Sequence, residues 1–246
     1  MLADSLYICG MTLRSVCFLS LVASSVLLAD DYGKVIFEDD FERSESQEVK
    51  DEPGNGWGTN SAKRANGNKQ VDLRDGAMYI YLHETADHGV SVTQPAEFTN
   101  GAVTLRFMLE DAKDSLGLNF ADLKFKEVHA GHLFAVRVFP KYVLLQDLKT
   151  GSMDLKIREA RQAKTLSNEQ VEMLKGKQKK VPASLETGEW HDLVVQIDGS
   201  KLMVSIDGEE VGSFESEGIA HPTKRMLRLA VPRNAVVDDL KIWKKG

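Results

Sequence analysis

The sequence predicts an all-β fold: a two-sheet antiparallel jelly-roll sandwich with one short helical excursion around residues 153–180. Three observations carry the prediction. Apolar residues recur with period two in many short runs, Asp-Gly pairs and other turn residues separate those runs, and a single segment departs into helix formers.

The chain has 246 residues, a length that all-β sandwiches commonly use as one unit. Residues 15–29, S-V-C-F-L-S-L-V-A-S-S-V-L-L-A, form an uncharged apolar run preceded by Arg14 and closed by the small Ala29. That pattern is a secretory signal peptide, and the run is too short for a comfortable bilayer span. The expected division is a leader over 1–29, with Met11 as a better initiator than Met1, and one sandwich domain over 30–246. Both cysteines, Cys9 and Cys17, fall in the leader, so the exported part has no disulfide and depends on its core.

Strands are expected at V-I-F-E-D-D-F (35–41), A-M-Y-I-Y-L-H (77–83), G-V-S-V-T-Q (89–94), A-V-T-L-R-F-M-L (102–109) and L-G-L-N-F (116–120). H-L-F-A-V-R-V-F (132–139) and Y-V-L-L-Q-D (142–147) follow. Beyond the excursion the pattern is clearest. Leu193, Val195 and Ile197 alternate, Asp198-Gly199 turns, Leu202, Val204 and Ile206 alternate, and Asp207-Gly208 turns again. Asp-Gly tolerates the positive φ of tight hairpins, so 189–214 reads as a three-stranded meander. M-L-R-L-A-V (226–231) and V-V-D-D-L-K-I-W (236–243) close the chain. Many short strands separated by turn residues are the mark of a sandwich.

In the excursion, Ser167 with Gln170 three residues on forms a capping box, and Gly176 is an end signal. From 154 to 180 there are eight Lys/Arg against four Asp/Glu. Such a run is ordinarily a solvated face. The chain as a whole is acidic, with a formal charge of −6. A nucleic-acid partner is not expected of it, whereas a carbohydrate or glycoside is. A monomer is expected, with no membrane-spanning segment after the leader.

Four groups of residues could carry chemistry. Glu38, Asp40 and Glu42 alternate along the first strand and would share one face, as a pair of glycosidase carboxylates must. Asp39 or Asp40 could also approach Asp238 or Asp239 if the first and last strands are neighbours, and a Ca²⁺ ion would relieve that crowding. The alternative is that these Asp pairs simply end strands in solvent. His83 and His88 flank H-E-T-A-D-H, and His129 and His132 stand three apart in E-V-H-A-G-H-L-F. On a regular strand His129 and His132 would face opposite sides, but Ala130-Gly131 permits a bulge that brings both rings together. Neutral imidazoles ligate divalent ions or move protons, and Asp87, Asp114 or Asp122 would orient them. Finally, Trp57 and Asn60 in the loop G-N-G-W-G-T-N offer an indole for stacking on a sugar and an amide for its hydroxyls; the other reading of Trp57 is core. Trp190 and Trp243, on strands, are expected in the core.

The pieces E-W-H-D-L-V-V-Q-I-D-G, V-S-I-D-G-E-E-V, V-D-D-L-K-I-W and F-E-D-D-F-E-R with G-W-G-T-N resemble the concanavalin A-like lectin/glucanase jelly rolls. The resemblance is nearest to laminin-G-like and 3-keto-disaccharide hydrolase-type domains of secreted bacterial proteins, the latter through A-D-H-G-V-S-V and H-A-G-H-L. It spans residues 35–244 apart from the excursion. It implies two face-to-face sheets with a carbohydrate-binding concave face, divalent-metal dependence in some members, and catalysis on oxidised glycosides in some. The strand E-D-D-F-E departs from the family 16 glucanase pattern, because Asp39 stands where an apolar residue belongs. The functional expectation is therefore a secreted or periplasmic glycoside-acting domain. Its catalytic set is His88, His129, His132 and Asp87, with Trp57, Asn60 and Asp114 touching substrate and a structural or catalytic divalent ion. The rivals are a non-catalytic glycan-binding module and a structural envelope protein.

Overall fold

The computed structural model describes residues 32–246. The leader, both cysteines and Met11 lie outside the described residues. Two antiparallel sheets pack face to face. In chain order the elements are β1 (Lys34–Asp39), β2 (Gly58–Thr59), α1 (Ser61–Arg64), β3 (Val71–Arg74), β4 (Ala77–Tyr81), β5 (Val90–Phe98), β6 (Asn100–Met108) and β7 (Leu116–Ala121). After a 3₁₀ turn at His129–Gly131 come β8 (His132–Phe139), β9 (Tyr142–Asp147), α2 (Leu155–Ala163), α3 (Asn168–Gly176) and β10 (Gln178–Pro182). The chain ends with β11 (Trp190–Asp198), β12 (Lys201–Ile206), β13 (Glu209–Glu215), β14 (Lys224–Val231) and β15 (Asn234–Lys245).

One sheet runs β13-β12-β11-β6-β15-β4-β3, with β1 also paired to β15. The other runs β10-β9-β8-β7-β14-β5-β2. The meander forms as the alternation requires: Leu193 faces Ile206, Val195 faces Val204 and Ile197 faces Leu202, all pointing inward. Strand β15 serves two neighbours on one side. Its start pairs with β4 and its end with β1, and the left-handed Asp239 (φ 48°) marks the irregularity between the halves. The core between the sheets is continuous, and includes a ladder in which Phe120 stacks on Phe134 at 4.6 Å and meets Phe98 edge-on at 6.2 Å.

Three short strands escaped the sequence pattern. β2 has two residues, β3 alternates over only four, and β10 reads Q-K-K-V-P, an edge strand zipped onto β9 with no apolar alternation. The excursion holds two helices, not one. Asp154 caps α2 by accepting from Lys156 N and Ile157 N, and Ser167 with Gln170 closes the expected capping box on α3. Only Ile157 of the two helices is buried, so local caps rather than core packing hold them. Trp190 and Trp243 are half-buried on the outer face of the larger sheet, Trp190 under the Arg106 guanidinium and Trp243 donating Nε1–H to Thr104 Oγ1. Neither belongs to the core. No helix among the described residues is long and apolar enough to cross a membrane.

Candidate functional site

Strands β5, β14, β7, β8 and β9 lie side by side, and the pleat sends alternate residues to the face turned away from the core. Two rows of that face are defined by register. One runs Ser91, Ala230, Gly117, Arg137; the next runs Thr93, Arg228, Asn119, Ala135, Gln146. Gly117, Ala135 and Ala230 are small, so the middle of the face is hollow. His88 and Pro232 stand on one side of the hollow, and Leu148, Ser152, Met153 and Arg161 of the β9–α2 segment on the other. The open hollow has a volume of about 470 Å³ and carries no Asp or Glu in its lining.

The excursion wall is tied in place by backbone. Leu148 N and Lys149 N both donate to Leu133 O, His129 N donates to Met153 O, and Val128 pairs with Asp154. The β5 side is tied by Asn60, whose amide donates to Gly89 O and whose Oδ1 accepts from Ser91 N, both at 3.0 Å. Asn60 therefore shapes the cavity wall through backbone bonds and is not itself in the lining.

The 3₁₀ turn at His129–Gly131 contains two consecutive left-handed residues, Ala130 (φ 50°) and Gly131 (φ 70°). It reverses what a regular strand would do. The His129 and His132 rings end 6.3 Å apart and 27° from parallel, on the same side. His132 lines the cavity, whereas His129 is exposed beside it. His132 Nδ1 lies 2.9 Å from Asn119 Oδ1 and 3.2 Å from Arg228 Nη1, an acceptor and a donor at one nitrogen. Burial, reinforced by the positive charge of Arg228 and by His129 and His88, holds the His132 pKa down to about 4. The ring is therefore neutral at ordinary pH. Burial and the nearby Arg158 and Arg228 also push His129 down.

A consequence is measurable. His132 binds its proton less readily folded than unfolded, so its contribution to stability is full above pH 6.5 and is lost as pH falls from 6.5 toward 4. Discounted for the ring's partial exposure, the loss is about 1–2 kcal/mol. Urea unfolding at both ends of that window should show His132→Asn losing less stability on acidification than the parent chain. Equal losses would remove the buried neutral ring from the account.

Of the remaining expected residues only His88 joins the cavity, with Nδ1–H donating to Gly89 O at 2.8 Å. Asp87 turns to the exposed Arg64, 3.3 Å away, and does not orient a histidine. Asp114 is fully buried and accepts from Asp111 N at 2.9 Å within the β6–β7 turn, so it has no surface to offer a ligand. Trp57 is 7% exposed; its ring meets Phe37 and Phe41 and its Nε1–H donates to Asp39 at 2.7 Å. The indole is core and offers no face on which a sugar could stack. Asp40 and Asp239 do line one cavity, together with Arg43 and Lys241, and the cation within ion-pair distance of Asp239 is Arg106 at 3.7 Å. Among the described residues no three His, Cys, Asp or Glu side chains are grouped to hold a metal ion. Glu38, on the same strand as Asp40, is exposed and has Lys241 as its nearest cation.

The two sheets have the jelly-roll architecture seen in solved glucanase structures. No protein-family model matches the chain, and no curated protein is similar to it in sequence. Solved structures share its architecture at low identity. A non-specific endo-β-1,3(4)-glucanase of family GH16 with an oligosaccharide at its active site superposes with a TM-score of 0.59 at 13% identity, covering 88% of this chain and 96% of that one. The laminarinase from Rhodothermus marinus gives 0.58 at 11% identity, covering 86% and 97%, and porphyranase B from Zobellia galactanivorans gives 0.57 at 12%, covering 86% and 92%.

Sequence reasoning missed Asn119, Arg137, Gln146, Arg161 and Arg228. The only available signal was the basic bias of 154–180, which places Arg161 in the cavity wall; the others come from four separate strands and meet only through register.

Proposed function

We propose that this domain binds a saccharide on the outer face of the β10-to-β2 sheet, in the cavity floored by Gly117, Ala135 and Ala230. The observation that carries the reading is the hollow itself: about 470 Å³, floored by small residues and ringed by Asn119, Gln146, Ser91, His132 and Arg137. Its size is that of a small-ligand site. Planar amides and guanidinium groups match the paired hydroxyls of a sugar ring, and Met153, Leu148 and Pro232 supply apolar surface. The fold neighbours that act on β-glucans and porphyran support the class, since the names of those proteins point to carbohydrate. Hydrolysis by a carboxylate pair is not supported, because such chemistry needs two acids across the bond and the lining has neither. We therefore place the binding module ahead of the glycoside hydrolase.

One observation favours a second reading, catalysis on 3-keto-disaccharides through His88, His129 and His132: His132 is held neutral against the cavity, as a proton acceptor must be. That reading would need a divalent ion at the histidines, where no three ligating side chains are grouped among the described residues. Export of the domain is supported by the apolar run at 15–29.

Calorimetric titration with neutral and charged tetrasaccharides tests the site. Binding is expected, and Gln146→Ala should weaken it by about tenfold, the loss of one well-placed hydrogen-bonding side chain. Trp57→Phe should leave affinity alone. Binding that survives Gln146→Ala and vanishes in Trp57→Phe would move the site to the 54–60 loop. Turnover of 3-keto-disaccharides that chelator abolishes would replace the binding module with the enzyme.

A further inference from the structure

We propose that the saccharide taken by this cavity is anionic, a glycan bearing carboxylate or sulfate groups that Arg228 and Arg137 receive. The inference rests on the saccharide-binding reading above.

The arginines divide by whether a carboxylate pairs with them. Of the ten arginines at 32–246, six stand within ion-pair distance of a carboxylate; Arg43 with Asp39 and Arg225 with Asp122 are the tightest. The four that do not, among the described residues, are Arg137, Arg158, Arg161 and Arg228. All four gather at this one place. Arg137, Arg161 and Arg228 line the cavity, and Arg158 is close enough to act on His129 beside it. In a chain of net charge −6, a carboxylate-free cavity lined by three guanidinium groups is opposite in sign to the molecule around it.

Arg228 sharpens the case. It is half-buried, and desolvation lowers its pKa, which means that the folded chain holds this charge against a cost. Its donors find Ala130 O at 2.7 Å and the neutral His132 Nδ1 at 3.2 Å, neither of which carries a negative charge. A guanidinium so placed has fork-shaped donors suited to the paired oxygens of a carboxylate or sulfate, and an anion docking there would offset the desolvation. Arg137 projects from the adjacent row of the same face, on the neighbouring side of Asn119 and Gly117, so two charges on successive sugar units could be met together. His132 fits the same logic. A ring held neutral by burial and by surrounding positive charge would gain its proton more readily once a ligand anion arrived.

The test titrates the full chain with four probes: tetragalacturonate, its methyl ester, a sulfated galactan tetrasaccharide and neutral laminaritetraose. At least one charged probe is expected to bind about tenfold or more tightly than the neutral ones, and its affinity should fall as sodium chloride rises from about 50 to about 500 mM. Which charged probe binds assigns the group as carboxylate or sulfate. Arg228→Gln should cost about tenfold or more on that probe, with Arg228→Lys recovering part of the loss. If Arg228→Gln does not fold, Arg137→Gln reads the same loss from the neighbouring row. Methyl ester and laminaritetraose binding as tightly as the charged probes, without salt dependence, would overturn the inference and leave the saccharide reading standing. No binding by any of the four would remove both.

Discussion

Replacing Asp39 by alanine is expected to destabilise the fold by about 3–5 kcal/mol, the largest single-residue loss outside the apolar core. The side chain is almost wholly buried, and every oxygen is used. It accepts from Arg43 Nη1 at 2.6 Å and Nη2 at 3.0 Å, from Asn55 Nδ2 at 2.9 Å, from Trp57 Nε1 at 2.7 Å and from Phe41 N at 2.9 Å. Burial alone would raise its pKa, but Arg43, Asn55, the Phe41 N–H and Trp57 together hold it below the ordinary value. Those donors come from two places: Phe41 and Arg43 just past the end of β1, and Asn55 and Trp57 of the 53–57 loop. Truncation strands the Trp57 N–H in the core and leaves Arg43 without its anion. Arg43 is 29% exposed in its side chain and regains some water, which sets the loss toward the lower end of the range. Trp57→Phe removes one donor and leaves the carboxylate its other four, so it should cost only about 1 kcal/mol. Guanidinium unfolding midpoints of the three chains decide it. A loss under about 1 kcal/mol for Asp39→Ala would mean that the 53–57 loop is held by something else.

Asp39 also explains where sequence reading stops. The strand pattern was legible because alternation is local: β11 and β12 each carry their own inward face, and Asp-Gly fixes the turn between them. Trp57 was ambiguous because Gly and Asn around it describe a loop, and a loop gives no periodicity to say which way an indole points. Its burial is decided by Asp39, eighteen residues away, and by Phe37 and Phe41. Within F-E-D-D-F-E the alternation put Glu38, Asp40 and Glu42 on one face of a strand running to Phe41. The chain instead leaves the strand after Asp39, and Phe41 turns left-handed at φ 54° to re-enter the core. The same limit hid the arginines. Arg137 and Arg228 each occupy an outward position of an unremarkable strand, ninety-one residues apart in the chain, and only the β8-β7-β14 register sets them in adjacent rows. The histidines were more legible, since Gly131 between them announces a backbone freedom that a strand does not need.

That glycine carries the second large prediction. Gly131→Ala is expected to cost about 2–4 kcal/mol, from the left-handed φ of +70° and from overlap that a side-chain rotation cannot relieve. An added Cβ would lie 2.4 Å from Asp122 O and 2.7 Å from Asp122 C, both backbone atoms. Asp122 cannot step aside. Its N–H donates to Gly131 O at 2.9 Å, and its carboxylate accepts from Arg225, from His221 and from Lys124 N. The turn must therefore open on the His129 side, where Arg228 holds Ala130 O. Opening it separates the two rings and releases His132 from the desolvation and positive charge that keep its pKa at about 4. The imidazole pKa of His132, followed by nuclear magnetic resonance, should climb toward the ordinary 6.5, and the affinity of the proposed saccharide site should fall with it. Ala130→Gly is the matched control. Ala130 already sits at φ 50°, so glycine there removes a strain of about 1 kcal/mol and adds a similar entropic cost, for a net effect near zero. If Gly131→Ala leaves both the stability and the His132 titration unchanged, the left-handed pair does not set the ring geometry, and the cavity owes His132 to strand β8 alone.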